Sequence, residues 1–374
     1  MKMIYLDNAA TTFIKPSCVL RDLNFCLKKY CGNPGRSSHR LSIMASEAIY
    51  STREKVADLL HVNTPENVVF TYNATYALNI AIKSFVTEKC HIITSDFEHN
   101  SVIRPLESLK KRLGVEYSTI DSTVDCATAL KHATRDDTRG IICSIASNVI
   151  GETLSLQVLS DYARDNSLFL IIDASQAIGH YDINLSETPC DALCAPGHKS
   201  LFGIQGSGFV WFKDNQRKDT LIEGGSGSES ANIYMPGLLP EGYEAGTLAT
   251  PAIVSLGSGI DYISKVGIGE INHRLNSLTN ALYDRLSNLN NITVYKVGNG
   301  LVSFNISSMS SSLVASMLDK DGICVRGGLH CAPSVHSRLG TMNQGAVRAS
   351  FSYMNQKSDV DKLYNSVREI LCVI

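Results

Sequence analysis

Five short apolar runs, separated by helical patterns, constrain this chain more than any other feature. "NVVFTY" (67–72), "HIITS" (91–95), "GIICSIA" (140–146), "LFLIID" (168–173) and "SGFVWF" (207–212) have the length and β-branched or aromatic content of strands. Between several of them, stretches such as "SIMASEAIYSTREKVADLL" (42–60) place apolar residues at helical spacing, and another helix is expected from Thr75. Strands that are continuously apolar are covered on both faces, and helical crossovers between parallel strands provide that cover. The pattern predicts an α/β fold: a mainly parallel sheet with helices on both faces.

The segment 223–251 is rich in Gly, Ser and Pro and has no periodicity; a loop of this length in a compact chain usually serves function. Beyond it come two long helical patterns, "GLVSFNI", a helix, "GICVRGGLHCAP", "AVRASFSY" and a last helix. This order lacks strict strand–helix alternation and suits a smaller α+β domain beginning near residue 260. A chain of 374 residues, 44 % of them hydrophobic, is long enough for about two domains with real cores.

A net charge of −2 with no Lys/Arg cluster argues against a nucleic-acid partner. No apolar run approaches the ~18 residues of a membrane span, and "MKMIYLDNAATT" lacks a signal peptide's apolar core, so a soluble, cytosolic (cytoplasmic) protein is expected. Eleven cysteines are scattered without a framework, which in a reducing compartment means free thiols. Cys190 and Cys194 in "CDALC" have no second ligand pair at zinc spacing, and no metal is expected.

In open α/β sheets chemistry collects at the carboxyl ends of strands. Four loops there carry polar residues. Thr75 opens a helix whose free N–H groups suit a phosphate, although taken alone a helix cap explains it better. His99 in "SDFEHNS" and Asn148 in "SIASNVIGE" each follow a strand. Asp173 ends an all-apolar strand, where an ionised carboxylate needs either a cation or a capping role, and Gln176 lies three residues on. Lys199 in "CAPGHKSLFGIQGSG" sits among small and apolar residues. Alone it reads as a snorkelling surface lysine; desolvated, it becomes an amine nucleophile toward carbonyls. Together, a strand-end Asp, a phosphate-ready helix start and a buried Lys are the groups that pyridoxal 5'-phosphate requires. "GHKS" lacks the glycines of a phosphate-binding P-loop, and "GGSGS" lacks the strand-to-helix setting of a dinucleotide site.

The ordered series "YLDNAATT", "NPGRSSHRLS", "NATYALN", "EHNSV", "SNVIGE", "DASQAIG", "GHKS", "EAGTLATP", "RGGLHCAP" and "VRASFSYMN" runs nearly the full length. It resembles the class V aminotransferase family of fold type I pyridoxal-phosphate enzymes, and within it the cysteine desulfurases. The resemblance implies a large cofactor-binding domain over 15–260, and a small one from 1–14 plus 261–374 that carries the active-site cysteine. It also implies that Lys199 holds the cofactor covalently, Asp173 pairs with the pyridinium nitrogen, Gln176 with the ring oxygen, and His99 stacks on the ring. Ala74, Thr75 and His198 would bind phosphate, with Thr247 reaching it from the partner subunit of a homodimer. Asn148 would lie beside the ring and the substrate carboxylate, and Arg348 would clamp that carboxylate bidentately. The family often has Ser or Thr where this chain has Pro196, which removes one phosphate donor.

By position Cys331 matches the desulfurase nucleophile, with His330 and Arg326 expected to favour its thiolate. The 17 residues from Cys331 to Arg348 resemble the short-loop group II (SUF-type) desulfurases and selenocysteine lyases, so Cys331 is expected on a constrained segment. The implied activity takes sulfur from L-cysteine, leaves L-alanine and a Cys331 persulfide, and passes the sulfur to an acceptor protein that the sequence does not identify. L-selenocysteine or cysteine sulfinate are alternative substrates. A class V aminotransferase, in which Cys331 is incidental, and a non-catalytic cofactor-binding protein are the remaining alternatives.

Overall fold

Both faces of the central strands are apolar, and the computed structural model, which describes residues 3–35, 37–215, 221–295, 297–307 and 309–372, shows how each is covered. In chain order the strands are β1 (Ile4–Tyr5), β2 (Val68–Thr71), β3 (His91–Ser95), β4 (Glu116–Ile120), β5 (Thr138–Ser144), β6 (Phe169–Asp173), β7 (Ala192–Pro196), β8 (Gly208–Phe212), β9 (Ile292–Val294), β10 (Leu301–Ile306), β11 (Ile323–Cys324), β12 (Arg326–Gly328) and β13 (Ala346–Ser350). The helices are α1 (Ser17–Lys29), α2 (Arg40–Leu59), α3 (Ala74–Phe85), α4 (Asn100–Leu113), α5 (Cys126–Ala133), α6 (Leu156–Asp165), α7 (Thr250–Val266), α8 (Ile268–Leu286), α9 (Ser311–Lys320), α10 (Pro333–Arg338) and α11 (Lys357–Cys372).

The main sheet has seven strands in the order β2-β8-β7-β6-β5-β3-β4. Strands β4, β3, β5, β6 and β7 run parallel, and β8 runs antiparallel to both its neighbours. Because side chains alternate across a strand, Ile92, Ile142, Ile171 and Val210 meet Leu78 of α3 and Leu106 of α4, whereas Ile93, Ile141, Ile172 and Trp211 share the other core with Val56 of α2 and Leu256 of α7. Each such side chain contributes roughly 1.5–3 kcal/mol by burial. A charged residue at any of these positions would break the layer it faces.

All five expected strands are present. Two more were not expected: β4 and β7. β4, "EYSTI", is a partly exposed edge strand without a clear apolar face. β7, "ALCAP", is buried on both faces between β6 and β8, yet its small residues give little strand signal. The segment 223–249 carries no helix or strand among its residues, as its composition implied.

Toward the C-terminus, β12-β13-β10-β9 form an antiparallel sheet, against which α8 and α9 pack, with α11 packed on both helices. "GICVRGGLHCAP" divides into β11, β12 and a tight turn before α10. The N-terminal strand β1 pairs in parallel with β11, and Asp7 bridges to Ser350. The chain then carries Ala9 and Ala10 to the carboxyl edge of the main sheet, where the loops after β2, β3, β5, β6 and β7 converge on one cavity. No helix among the described residues is long and apolar enough to cross a membrane.

Candidate active site

Lys199 and Asp173 follow adjacent parallel strands, since Asp173 ends β6 in register with Cys194 of β7, and both line a cavity of about 200 Å³. Asp173 is buried; Ser175 donates its backbone N–H to Oδ1 at 2.8 Å. Burial brings the Lys199 ammonium down to about 8, against the pull of Asp173 and with the push of Arg348 and Arg326. A lysine so placed is a usable amine near neutral pH, which excludes the snorkelling alternative. Its turn is held from the N-terminus: Thr12 Oγ1 donates to the Lys199 carbonyl at 2.9 Å, and Lys15 Nζ reaches the carbonyls of His198 at 3.3 Å and Gly203 at 2.7 Å.

At one end of the cavity lies the start of α3. Asn73, in an extended conformation, accepts the Tyr76 N–H at 3.1 Å and is the helix cap. The capping alternative for Thr75 therefore falls away: Thr75 Oγ1 instead meets Ser101 Oγ at 2.8 Å, and Ser101 donates its N–H to His99 Nδ1 at 3.1 Å. Gly208 lets β8 pass close beneath the start of α3, because a Cβ there would stand 2.9 Å from the Asn73 backbone. His198 lines the same cavity with a buried Nδ1 that has no partner, and burial together with Lys199 and Lys15 lowers it to about 4, so the ring is neutral. An unpartnered ring nitrogen beside a helix start, with Ala74 and Thr75 at its first turn, fits a phosphate group. Pro196 lines the cavity and offers no donor.

Across the cavity stands Arg348 of β13, only 1 % exposed. One Nη donates to the Asn148 carbonyl at 2.8 Å and the other to Asp7 Oδ1 at 2.8 Å, while Nε is unpartnered. Its planar fork is thus fixed by Asp7 and keeps a donor for an incoming carboxylate. Asn148 donates Nδ2 to the His330 carbonyl at 2.7 Å and leaves Oδ1 unpartnered. Gln176 donates to the Ala9 carbonyl at 3.0 Å.

Cys331 is exposed and does not line the cavity, although its neighbour His330 does. Both residues adopt left-handed conformations, φ 51° and 58°, which non-glycine residues rarely hold unless their surroundings enforce it. Here the surroundings do so. Asn100 N–H donates to the Cys331 carbonyl at 2.8 Å, Asn148 holds the His330 carbonyl, and His330 Nε2 is 3.0 Å from the Ala346 carbonyl. The segment is constrained, as its length implied. Burial and the Arg348 charge push the His330 ring far below the usual histidine range, which favours its neutral form. Arg326 lines the cavity and supplies a cation on this side.

The cavity therefore gathers Ala74, Thr75, His99, Asn148, Asp173, Gln176, His198, Lys199 and Arg348. Thr247 is not among them; it is exposed in the long loop, beside a groove that Arg53 and Glu244 also line. Asp7, Ser101 and Ser144 are site residues that sequence reasoning did not single out, although each lay within a quoted stretch: "YLDNAATT", "EHNSV" and "GIICSIA".

The match to the family model for class V aminotransferases spans residues 4–363, and the chain belongs to that family. Members of it are pyridoxal-phosphate-dependent in general. More particularly, the chain is 30 % identical to a probable cysteine desulfurase of Methanothermobacter thermautotrophicus over 98 % of its own length and 94 % of that protein's. It is 29 % identical to one from Synechocystis sp., over 98 % and 90 %. The apo structure of a cysteine desulfurase from Thermococcus onnurineus NA1 superposes with a TM-score of 0.91 at 27 % identity, covering 100 % of this chain and 95 % of that one. The fold is that of fold type I.

Proposed function

We propose that this chain is a pyridoxal-phosphate-dependent cysteine desulfurase, which converts L-cysteine to L-alanine and takes the sulfur as a persulfide on Cys331. The observation that carries this reading is the placing of Lys199 beside Asp173 after β7 and β6, with a cysteine fastened to the start of α4 at the same edge of the sheet. Bound there, the cofactor supplies an electron sink for the substrate's Cα.

The residues divide the remaining work. Ala74, Thr75 and His198 hold the phosphate, and Asp173 holds the ring nitrogen. Gln176 serves the ring oxygen, and His99, fixed by Ser101, covers the ring face. Arg348 and Asn148 bind the substrate carboxylate. Lys199, poised by burial, accepts the Cα proton at Nζ and returns it later. The Cys331 thiolate attacks the substrate sulfur: the S–S bond forms, the C–S bond breaks with its electron pair leaving toward carbon, and protonation there gives alanine.

The active unit is a homodimer in which Thr247 completes the partner's phosphate site. Support comes from the exposed position of Thr247 and from exposed apolar residues Phe13, Ile14, Leu20, Leu41 and Ile43 near α1 and α2. Residues 15–260 form the cofactor-binding unit; 1–14 and 261–374 form the unit that carries Cys331, in keeping with the β1–β11 pairing. The sulfur passes to an acceptor protein, and the eleven unpaired thiols suit a reducing cytoplasm. Alanine and sulfide release from cysteine and from selenocysteine, assayed side by side, tests the activity. Transamination without sulfide would replace the reading with the aminotransferase one.

A further inference from the structure

Glu98 lies in the turn between β3 and α4 and is 0 % exposed. Its Oε1 accepts Ser95 Oγ at 2.5 Å and the Ser144 backbone N–H at 2.9 Å, while Oε2 accepts Ser144 Oγ at 2.9 Å. Ser144 ends β5 in register with Asp173 of β6, and the same Oγ stands 3.4 Å from Asp173 Oδ2. Two buried carboxyls thus flank a hydroxyl that has one proton to give. The groups facing Glu98 are Asp173 from β6 and the Cys143 thiol from β5, and no cation is bonded to it among the described residues. A buried carboxylate without a cation is costly, and burial pushes Glu98 up to about 7.

We propose that Glu98 is a positioning residue that controls, through the Ser144 hydroxyl, whether Asp173 Oδ2 is free to accept from the cofactor's ring nitrogen. The proposal rests on the reading of Asp173 as the partner of that nitrogen. When Glu98 is ionised, the Ser144 proton turns to it as the nearer acceptor, and Asp173 Oδ2 is left for the ring. When Glu98 is protonated, Oε2 donates to Ser144 Oγ and the hydroxyl turns to Asp173, where it competes with the ring N–H. Glu98→Gln keeps the shape and fixes the second state, because its amide nitrogen donates in place of Oε2.

The test measures retention of pyridoxal phosphate by absorbance rather than turnover. Glu98→Gln should weaken retention about tenfold at pH 8, the scale of one hydrogen bond, and by less than about twofold in a Ser144→Ala background. Wild-type retention should fall as pH drops through about 7, and Ser144→Ala alone should remove that dependence. In the apoprotein, an infrared band of a protonated carboxyl should titrate near neutral pH and be absent from Glu98→Gln. An equal effect of Glu98→Gln with and without the Ser144 hydroxyl, or no such band, would overturn the proposal alone. A wild-type chain that takes up no pyridoxal phosphate would overturn the functional reading and this inference with it.

Discussion

The backbone N–H of Asn100 donates to the carbonyl of Cys331 at 2.8 Å, and this one bond fastens the cysteine segment to the residue that follows His99. His99 caps α4 and lines the cavity; Asn100 is the first residue of that helix, where N–H groups have no partner within the helix. The Cys331 segment is thereby anchored to the turn that brings His99 to the cavity.

That geometry allows a clean substitution. Proline is tolerated at the first helical position, and His99, at φ −71° and ψ 153°, already has the conformation a residue before proline requires. Asn100→Pro should leave α4 intact and remove only the bond to Cys331. Steady-state kinetics should show kcat reduced by roughly fivefold to tenfold with little change in KM, the scale of one hydrogen bond. A collapse of both stability and KM would mean that the bond supports the fold rather than the thiol.

Lys199 gives a second prediction. Because burial lowers its ammonium to about 8, the rate at which the apoprotein forms a visible adduct with pyridoxal phosphate should rise with a midpoint near pH 8, not above 10. Lys199→Ala should abolish the adduct. Lys15 is the rival to exclude, as burial also lowers it to about 8, so peptide mapping after borohydride reduction should find the label on Lys199 alone.

A third prediction concerns stability. Glu98 is raised from an ordinary value near 4.5 to about 7, so the folded apoprotein holds a proton that the unfolded chain has released. The stability this contributes is complete below about pH 4.5 and is lost as pH rises through 7. Glu98→Gln does not titrate. Thermal melts of the two apoproteins should therefore diverge in favour of the variant by roughly 3 kcal/mol between pH 5 and pH 8. Parallel curves would show that Glu98 is ionised throughout.

The places where sequence and structure agree share a cause. Asp173 could be placed because a continuous apolar strand fixes where its carboxyl end falls, and chemistry gathers at that end; Lys199 stood out by its small and apolar neighbours in sequence. What sequence could not give is contact between remote segments. Asp7 meets Arg348 across 341 positions, by way of a β1–β11 pairing only two residues long. Glu98 sat in a quoted motif, but its importance depends on Ser144, whose hydroxyl matters only once β5 and β6 are in register. β7 was not visible because burial on both faces, not propensity, makes "ALCAP" a strand.

Persulfide formation on Cys331 tests the central claim most directly. The wild-type protein, treated with L-cysteine and digested without reductant, should show one added sulfur on the peptide containing "GGLHCAPSVHSR" by mass spectrometry. Cys331→Ala should still bind pyridoxal phosphate and L-cysteine, as neither needs the thiol, yet release alanine at least a hundredfold more slowly, an estimate on the order expected for loss of a nucleophile. An unmodified Cys331 peptide, together with undiminished alanine release by Cys331→Ala, would contradict the account and leave the exposed thiol without a part in the reaction.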